Sequence, residues 1–187
     1  MMPLKTFYHL LCPQLFLRSV FDLPVSQLKD RGIRGLIFDL DNTLLYWNSC
    51  EVTGDARKLF RQLEHEGFLS CLVSNNKKTR VESVAQVLNL PAISKARKPS
   101  RRAFRQALAT LGTSAKETAV VGDQLFTDVL GGNRMGLYTV LVKPLSKTEF
   151  IGTRLMRYIE RIALRQLIKR GLIEKPALEK AGRAKLC

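Results

Sequence analysis

The sequence predicts an α/β fold in which helices cover both faces of a parallel sheet, and three observations predict it. Short apolar runs alternate with segments of helical period from Gly35 to Val142. The runs Gly35 to Phe38, Phe68 to Val73 and Thr118 to Val121 are predominantly apolar, with only Ser70 and Thr118 polar, as in strands buried on both faces. Each run ends on a polar residue: Asp39, Ser74 and, after Gly122, Asp123. Right-handed crossovers in such a fold place the strand C-termini along one edge, where ligands bind. The polar residues that end the runs are therefore expected to converge.

Helix signals fill the intervals. Thr53 precedes a helical pattern that reaches Glu66, with Leu59, Phe60 and Leu63 on one side and Gly67 as its stop. Lys78 to Leu88 repeats Val81, Val84, Ala85 and Leu88 at helical spacing, and Pro91-Ala92-Ile93 reads as a very short strand. Ser100 caps a helix with Phe104, Ala107, Leu108 and Leu111 inward and Gly112 beyond its end. A short helix from Thr127 to Gly136 and a strand from Tyr138 to Val142 complete the alternation. The chain divides into an apolar, partly helical segment 1–34 packing on or beside the core, the core 35–145, and a basic amphipathic helix and tail 146–187. In the last of these, Thr153 to Gly171 places Met156, Ile159, Ala163 and Leu167 on one face. Arg154, Arg157, Arg161, Arg165, Lys169 and Arg170 supply its charge, and Pro176 to Cys187 is expected to fray.

The length, 187 residues, suits one compact domain. Lys and Arg number 31 against 16 Asp and Glu, a formal net charge of +15, so the chain is drawn to polyanions: nucleic acid, an anionic membrane or phosphorylated substrates. Cys12, Cys50, Cys71 and Cys187 form no CxxC pair and no metal spacing, which reads as reduced thiols. No apolar run approaches the ~18 residues that cross a bilayer. The first twenty residues are interrupted by His9, Pro13, Gln14 and Arg18 and do not read as a signal peptide. The expected place is cytoplasmic, peripheral on a membrane, or on the matrix side of an organelle.

The chemistry concentrates at Asp39-Leu40-Asp41-Asn42-Thr43. If the chain leaves extended geometry after Asp39, both aspartates face one site. One carboxylate can attack phosphorus and form an aspartyl-phosphate, while the other protonates the leaving oxygen and then deprotonates water. Neighbouring carboxylates call for a hard cation such as Mg2+. Ser74-Asn75 offers a hydroxyl and backbone N–H groups for phosphoryl oxygens, and Lys98 a positive charge. Gly122-Asp123, with Asp128 five residues on, can complete a magnesium shell.

In this order, Asp39-Leu40-Asp41-Asn42-Thr43, Ser74-Asn75, Lys98 and Gly122 to Asp128 resemble the signatures of the haloacid dehalogenase superfamily. The resemblance implies a three-layer α/β/α Rossmann-like (HAD-like) fold. It implies Asp39 as nucleophile, Asp41 as acid/base, and Thr43, Ser74, Asn75 and Lys98 about the phosphate. It also implies Mg2+ on Asp39, the Asp41 carbonyl and Asp123, with Asp128 in support. Thr43 matches the phosphatase members. Neither the interval between Asp41 and Ser74 nor that between Ser74 and Lys98 holds a large cap domain, and an open site excludes water poorly by itself. Pro13 through Asp41, Gly122 to Val129, and Thr153-Arg154 followed by Ile159-Glu160-Arg161 are similar to the YqeG-type class IIIA branch, which is akin to phosphatidylglycerophosphate phosphatases. That implies a lipid-linked substrate and an anionic membrane as partner, with the helix from Arg154 to Arg170 gaining about 1 kcal/mol per basic residue near the surface. Phe7, Leu10, Leu11, Leu15, Phe16 and Phe21 offer apolar anchoring. A polynucleotide-end or small-metabolite phosphatase and a non-catalytic scaffold are the alternatives. Of these, nucleic acid has only Tyr46 and Trp47 as stacking candidates, and the intact acidic set opposes the scaffold.

Overall fold

The computed structural model describes residues 4–146, 151–173 and 184–185, with side chains for 7–146 and 155–173. The side chain of Arg154 and most of the tail expected to fray, 176–187, lie outside the described residues. Helix α1 (Leu4–Leu10), strand β1 (Leu15–Leu17), a 3-10 turn (Val20–Asp22) and α2 (Val25–Asp30) precede β2 (Gly35–Phe38). Then follow α3 (Gly54–His65), β3 (Leu69–Val73), α4 (Lys78–Leu88), β4 (Ala92–Ile93), α5 (Arg101–Leu111) and, after a 3-10 turn, β5 (Thr118–Gly122). A π-helical turn (Leu125–Val129) runs into α6 (Leu130–Asn133), and β6 (Tyr138–Val142), α7 (Ile151–Lys169) and β7 (Ala184–Lys185) complete the chain.

The sheet order is β4-β3-β2-β5-β6-β1-β7, parallel throughout except for the antiparallel pairing of β7 with β1. All four residues of β2 and all five of β5 are buried, which is why these strands carry no polar alternation. Leu36, Phe38, Leu72 and Val121 meet α3 and α4 on one face through Leu59, Phe60, Leu63, Val81 and Val84. Ile37, Cys71, Val73 and Val120 meet Phe104, Ala107 and Leu111 of α5 on the other. Phe38 and Phe60 stack edge to face, with centroids 5.0 Å apart. Phe38 and Phe104 are fully buried, and truncating either to alanine costs about 3–5 kcal/mol. The expected caps are in place. Thr53 Oγ1 accepts from Ala56 N at 3.2 Å, Ser100 Oγ from Arg102 N at 3.3 Å, and Gly112 ends α5 at φ +62°.

Neither interval between the sequence motifs holds more than α3 and β3 or α4 and β4, so the fold has no large cap. Three features differ from the hydropathy reading. The segment before Arg34 supplies β1 to the sheet, and Leu11 and Leu15, offered above as membrane anchors, are buried at 1% and 6% exposure, leaving Phe7 and Phe21 outside. Ala184 and Lys185, within the tail expected to fray, lie beside β1. The face drawn through Met156, Ile159, Ala163 and Leu167 is split in the structure: Met156 and Ile159 are exposed, while Leu167 is buried together with Glu160, and Arg157 faces inward.

Candidate active site

The end of β2 builds the first part of the site. Asp39 N donates to Val121 O at 2.9 Å, so Asp39 still belongs to the β2–β5 ladder. Immediately afterwards the chain turns. Leu40 is fully buried, and its carbonyl accepts from both Leu44 N and Leu45 N at 3.1 Å. Asn42 takes the left-handed conformation at φ +60°, which asparagine tolerates better than most residues. Extended geometry thus ends after Asp39, as the DxD spacing requires.

Lys98 is the centre of charge. Its Nζ lies 2.6 Å from Asp39 Oδ1 and 2.6 Å from Asp128 Oδ1, all three side chains being buried. Asn75 holds the Lys98 backbone at both ends of its amide: Lys98 N donates to Oδ1 at 2.7 Å, and Nδ2 donates to Lys98 O at 3.4 Å. Lys98-Pro99 is a cis peptide. Asp128 Oδ2 accepts from Gln124 N at 3.2 Å. Gly122 is required beside it, because a β-carbon there would stand 2.2 Å from Asp128 Cγ. Thr43 is buried and its hydroxyl points to Asp123 Oδ1 at 3.4 Å. Ser74 is buried, and its Oγ accepts from Asn76 N at 3.1 Å.

Asp39, Asp123 and Asp128 each bring a carboxylate oxygen within 4.8 Å of the others, so the residues that follow β2 and β5 meet at one place. Burial raises the Asp39 carboxyl to about 6 against the pull of Lys98, and burial likewise pushes Asp123 well above the usual carboxylate range against Arg157. Burial disfavours the Lys98 ammonium, yet the charges of Asp128 and Asp39 more than offset this and hold it above its ordinary value. Three clustered carboxylates meet Lys98 on one side and Arg157 on the other, and this hard-oxygen donor set, short of positive charge, fits a divalent cation.

The Asp41 carboxylate makes its own set of contacts beside the cluster. It lies 2.8 Å from Arg80 Nη1 and accepts from Asn76 Nδ2 at 3.0 Å and Asn48 N at 3.3 Å. Arg80 in turn donates to Ser49 O at 2.6 Å. Sequence reasoning missed Arg80, Asn76, Arg157 and Glu160. Arg80 was detectable in principle, since it falls in phase with Val84 and Leu88 on the buried stripe of α4. In the sequence Arg157 stands only as one of six basic residues that charge the C-terminal helix. Instead its guanidinium pairs with the Asp123 carboxylate.

The "HAD-hyrolase-like" family profile matches residues 95–144. The "Probable phosphatase YqeG" of Bacillus subtilis (strain 168) is 38% identical over 91% of this chain and 98% of its own length. The "Phosphatidylglycerophosphate phosphatase 1, chloroplastic/mitochondrial" of Arabidopsis thaliana is 28% identical over 86% of this chain, which spans 49% of that protein's length. Among solved structures, a putative HAD family hydrolase from Streptomyces avermitilis MA-4680 superposes with a TM-score of 0.50 at 16% identity, covering 66% of this chain and 72% of that one. With its strand order, its converging motifs and a relative this similar along nearly its whole length, the chain belongs to the YqeG-type phosphatases of the haloacid dehalogenase superfamily and is a phosphoric monoester hydrolase.

Proposed function

We propose that this phosphatase uses Asp39 as nucleophile, Asp41 as acid/base and Mg2+ as cofactor, and that it removes the terminal phosphate of phosphatidylglycerophosphate at a membrane surface. The observation that carries the chemistry is the buried set of Asp39, Lys98, Asp123 and Asp128 at one sheet edge. Mg2+ would be held by Asp39, Asp123 and the Asp41 carbonyl, with Asp128 in support, and it supplies positive charge to the transferring phosphoryl group. An Asp39 oxygen attacks phosphorus. The ester P–O bond breaks, and Asp41 gives its proton to the departing alcohol oxygen. Water then attacks the aspartyl-phosphate, returning a proton to Asp41 as the Asp39 O–P bond breaks and orthophosphate leaves. Lys98 balances charge on the nucleophile and the phosphoryl oxygens, and in this reading Ser74, Thr43 and the backbone after Ser74 serve the phosphoryl oxygens. Asn75 serves by holding Lys98 in place.

The surface supports the substrate class in this reading. Without a large cap, a substrate anchored in a bilayer is presented by the membrane itself. Helix α7 turns Leu155, Met156, Tyr158, Ile159 and Ile162 outward, with Arg161, Arg165, Lys169 and Arg170 also exposed. An apolar stripe edged by arginine and lysine matches an anionic lipid surface. No helix among the described residues is long and apolar enough to cross a membrane, so attachment in this reading is peripheral. The names of the plant relative and of a Chlamydomonas reinhardtii protein, 30% identical over 79% of this chain, point to the same lipid.

The test is a substrate panel in Mg2+: phosphatidylglycerophosphate in mixed micelles, 5′- and 3′-phosphorylated oligonucleotides, and sugar phosphates. The lipid is expected to have the highest kcat/KM. Preference for an oligonucleotide would move the reading to polynucleotide ends, and full activity in excess chelator would remove the metal.

A further inference from the structure

The contacts of Arg157 reach past the motifs to the C-terminal helix. We propose that Arg157 is a positioning residue for Asp123: it takes one carboxylate oxygen and leaves the other to the acidic cluster, so that α7 sets the affinity of the site for its metal. This rests on the reading of Asp123 as a metal ligand.

Arg157 Nη2 pairs with Asp123 Oδ2. Its Nη1 donates to the Asp123 carbonyl at 2.6 Å and to Glu160 Oε2 at 2.9 Å. Asp123 Oδ1 is on the other side, 3.4 Å from the hydroxyl of Thr43 in the nucleophile loop. A guanidinium that grips a residue by side chain and backbone together fixes its carboxylate rotation in a way a single-point ammonium cannot. Glu160 anchors the grip. Its Oε1 accepts from Leu125 N at 2.6 Å and Phe126 N at 3.4 Å, the first N–H groups of the π-helical turn that carries Asp128. One turn of α7 therefore holds both Asp123 and the turn leading to Asp128. The Asp123 side chain is fully buried and those of Arg157 and Glu160 are 16% and 5% exposed, so solvent screens these contacts little. Carboxylates that ligate metals depend on such outer contacts, and losing one typically costs 10- to 100-fold in metal affinity.

Two rival roles make different predictions. If Arg157 merely docks α7, its loss lowers stability and leaves metal affinity alone. If the guanidinium competes with the cation for Asp123, its loss tightens metal binding. The test is Mn2+ titration of the full chain, with free Mn2+ read by electron paramagnetic resonance, on wild type, R157Q, R157K and E160Q, each checked by thermal melting. R157Q is expected to bind Mn2+ at least about ten-fold more weakly. R157K, which keeps charge but not the fork, should fall between R157Q and wild type, and E160Q should weaken binding in the same direction. Unchanged or tighter Mn2+ binding in R157Q overturns the proposal; should R157Q not fold, the same outcome in R157K does so. A wild-type protein that binds no Mn2+ would sink the metal reading itself, a result distinct from either.

Discussion

Lys98→Met is the sharpest probe of the charge balance in the cluster. Methionine nearly matches the length of the lysine stem, so packing is kept while the ammonium between Asp39 and Asp128 is lost. Removing one partner from a buried ion pair costs about 3–5 kcal/mol, because the remaining charges stay desolvated. For a chain of this size about 2–4 °C accompanies each kcal/mol, so a drop of roughly 6–20 °C in Tm is expected at pH 8 in chelator. The pH dependence carries the test. Asp39 is raised from 3.8 to about 6 in the folded protein, so the stability linked to its protonation is complete below 3.8 and is lost as pH rises through about 6. Without Lys98 that folded value moves higher still, and the loss extends further up the pH scale. The deficit of the variant should therefore be small near pH 4 and grow toward pH 8. Thermal melts across that range measure it. An equal deficit at pH 4 and pH 8 would mean that Lys98 contributes packing rather than charge, and the account of the cluster would be wrong.

Asp39→Asn should abolish turnover and, by removing a buried anion, raise the chelator-treated Tm at pH 8; wild-type rates would refute its role. Gly122→Ala should displace Asp128, whose Cγ would lie 2.2 Å from the new carbon, and lower kcat about a hundred-fold with the fold retained by circular dichroism. Sedimentation with anionic vesicles should be strong at low salt and weaken as salt is raised, at about 1 kcal/mol for each of Arg161, Arg165, Lys169 and Arg170 that reaches the surface.

The sheet and the acids were legible because each leaves a local signal. Strands buried on both faces are unbroken apolar runs, and a carboxylate that ends such a run stands out against it, as Asp39 and Asp123 do. The counter-ions were not legible. In a chain with 31 Lys and Arg, no spacing distinguishes Arg157, inside beside Asp123, from arginines left in solvent, and only its phase with Val84 and Leu88 marks out Arg80, inside beside Asp41. The phase of α7 was hidden for a related reason. Leu155, Met156, Ile159, Ile162, Leu164 and Leu167 surround much of the helix, so hydrophobic periodicity admits more than one inward face, and the contact of Glu160 with Leu125 and Phe126 settles which. Strand β1 escaped notice because three residues give no periodicity to read.

What remains is how the open edge separates a lipid substrate from a nucleic acid, since both would use the same basic surface. The two partners differ in what they ask of apolar groups. Phosphate-backbone contacts depend on charge alone and fall steeply with salt. A bilayer also takes up apolar side chains, and that part of the binding is insensitive to salt. Leu155 is 65% exposed and Ile162 is 42% exposed on the outer side of α7. Burying what they expose is worth roughly 2–3 kcal/mol for the two together. The double substitution L155S/I162S removes no charge and touches none of the contacts of Arg157 or Glu160. It should lower partitioning into anionic vesicles about 30- to 150-fold, with the deficit persisting at high salt, while hydrolysis of a soluble phosphomonoester stays unchanged. Vesicle binding equal to wild type would show that α7 meets its partner through charge alone, and the membrane would lose its advantage over a polynucleotide as the surface this site works on.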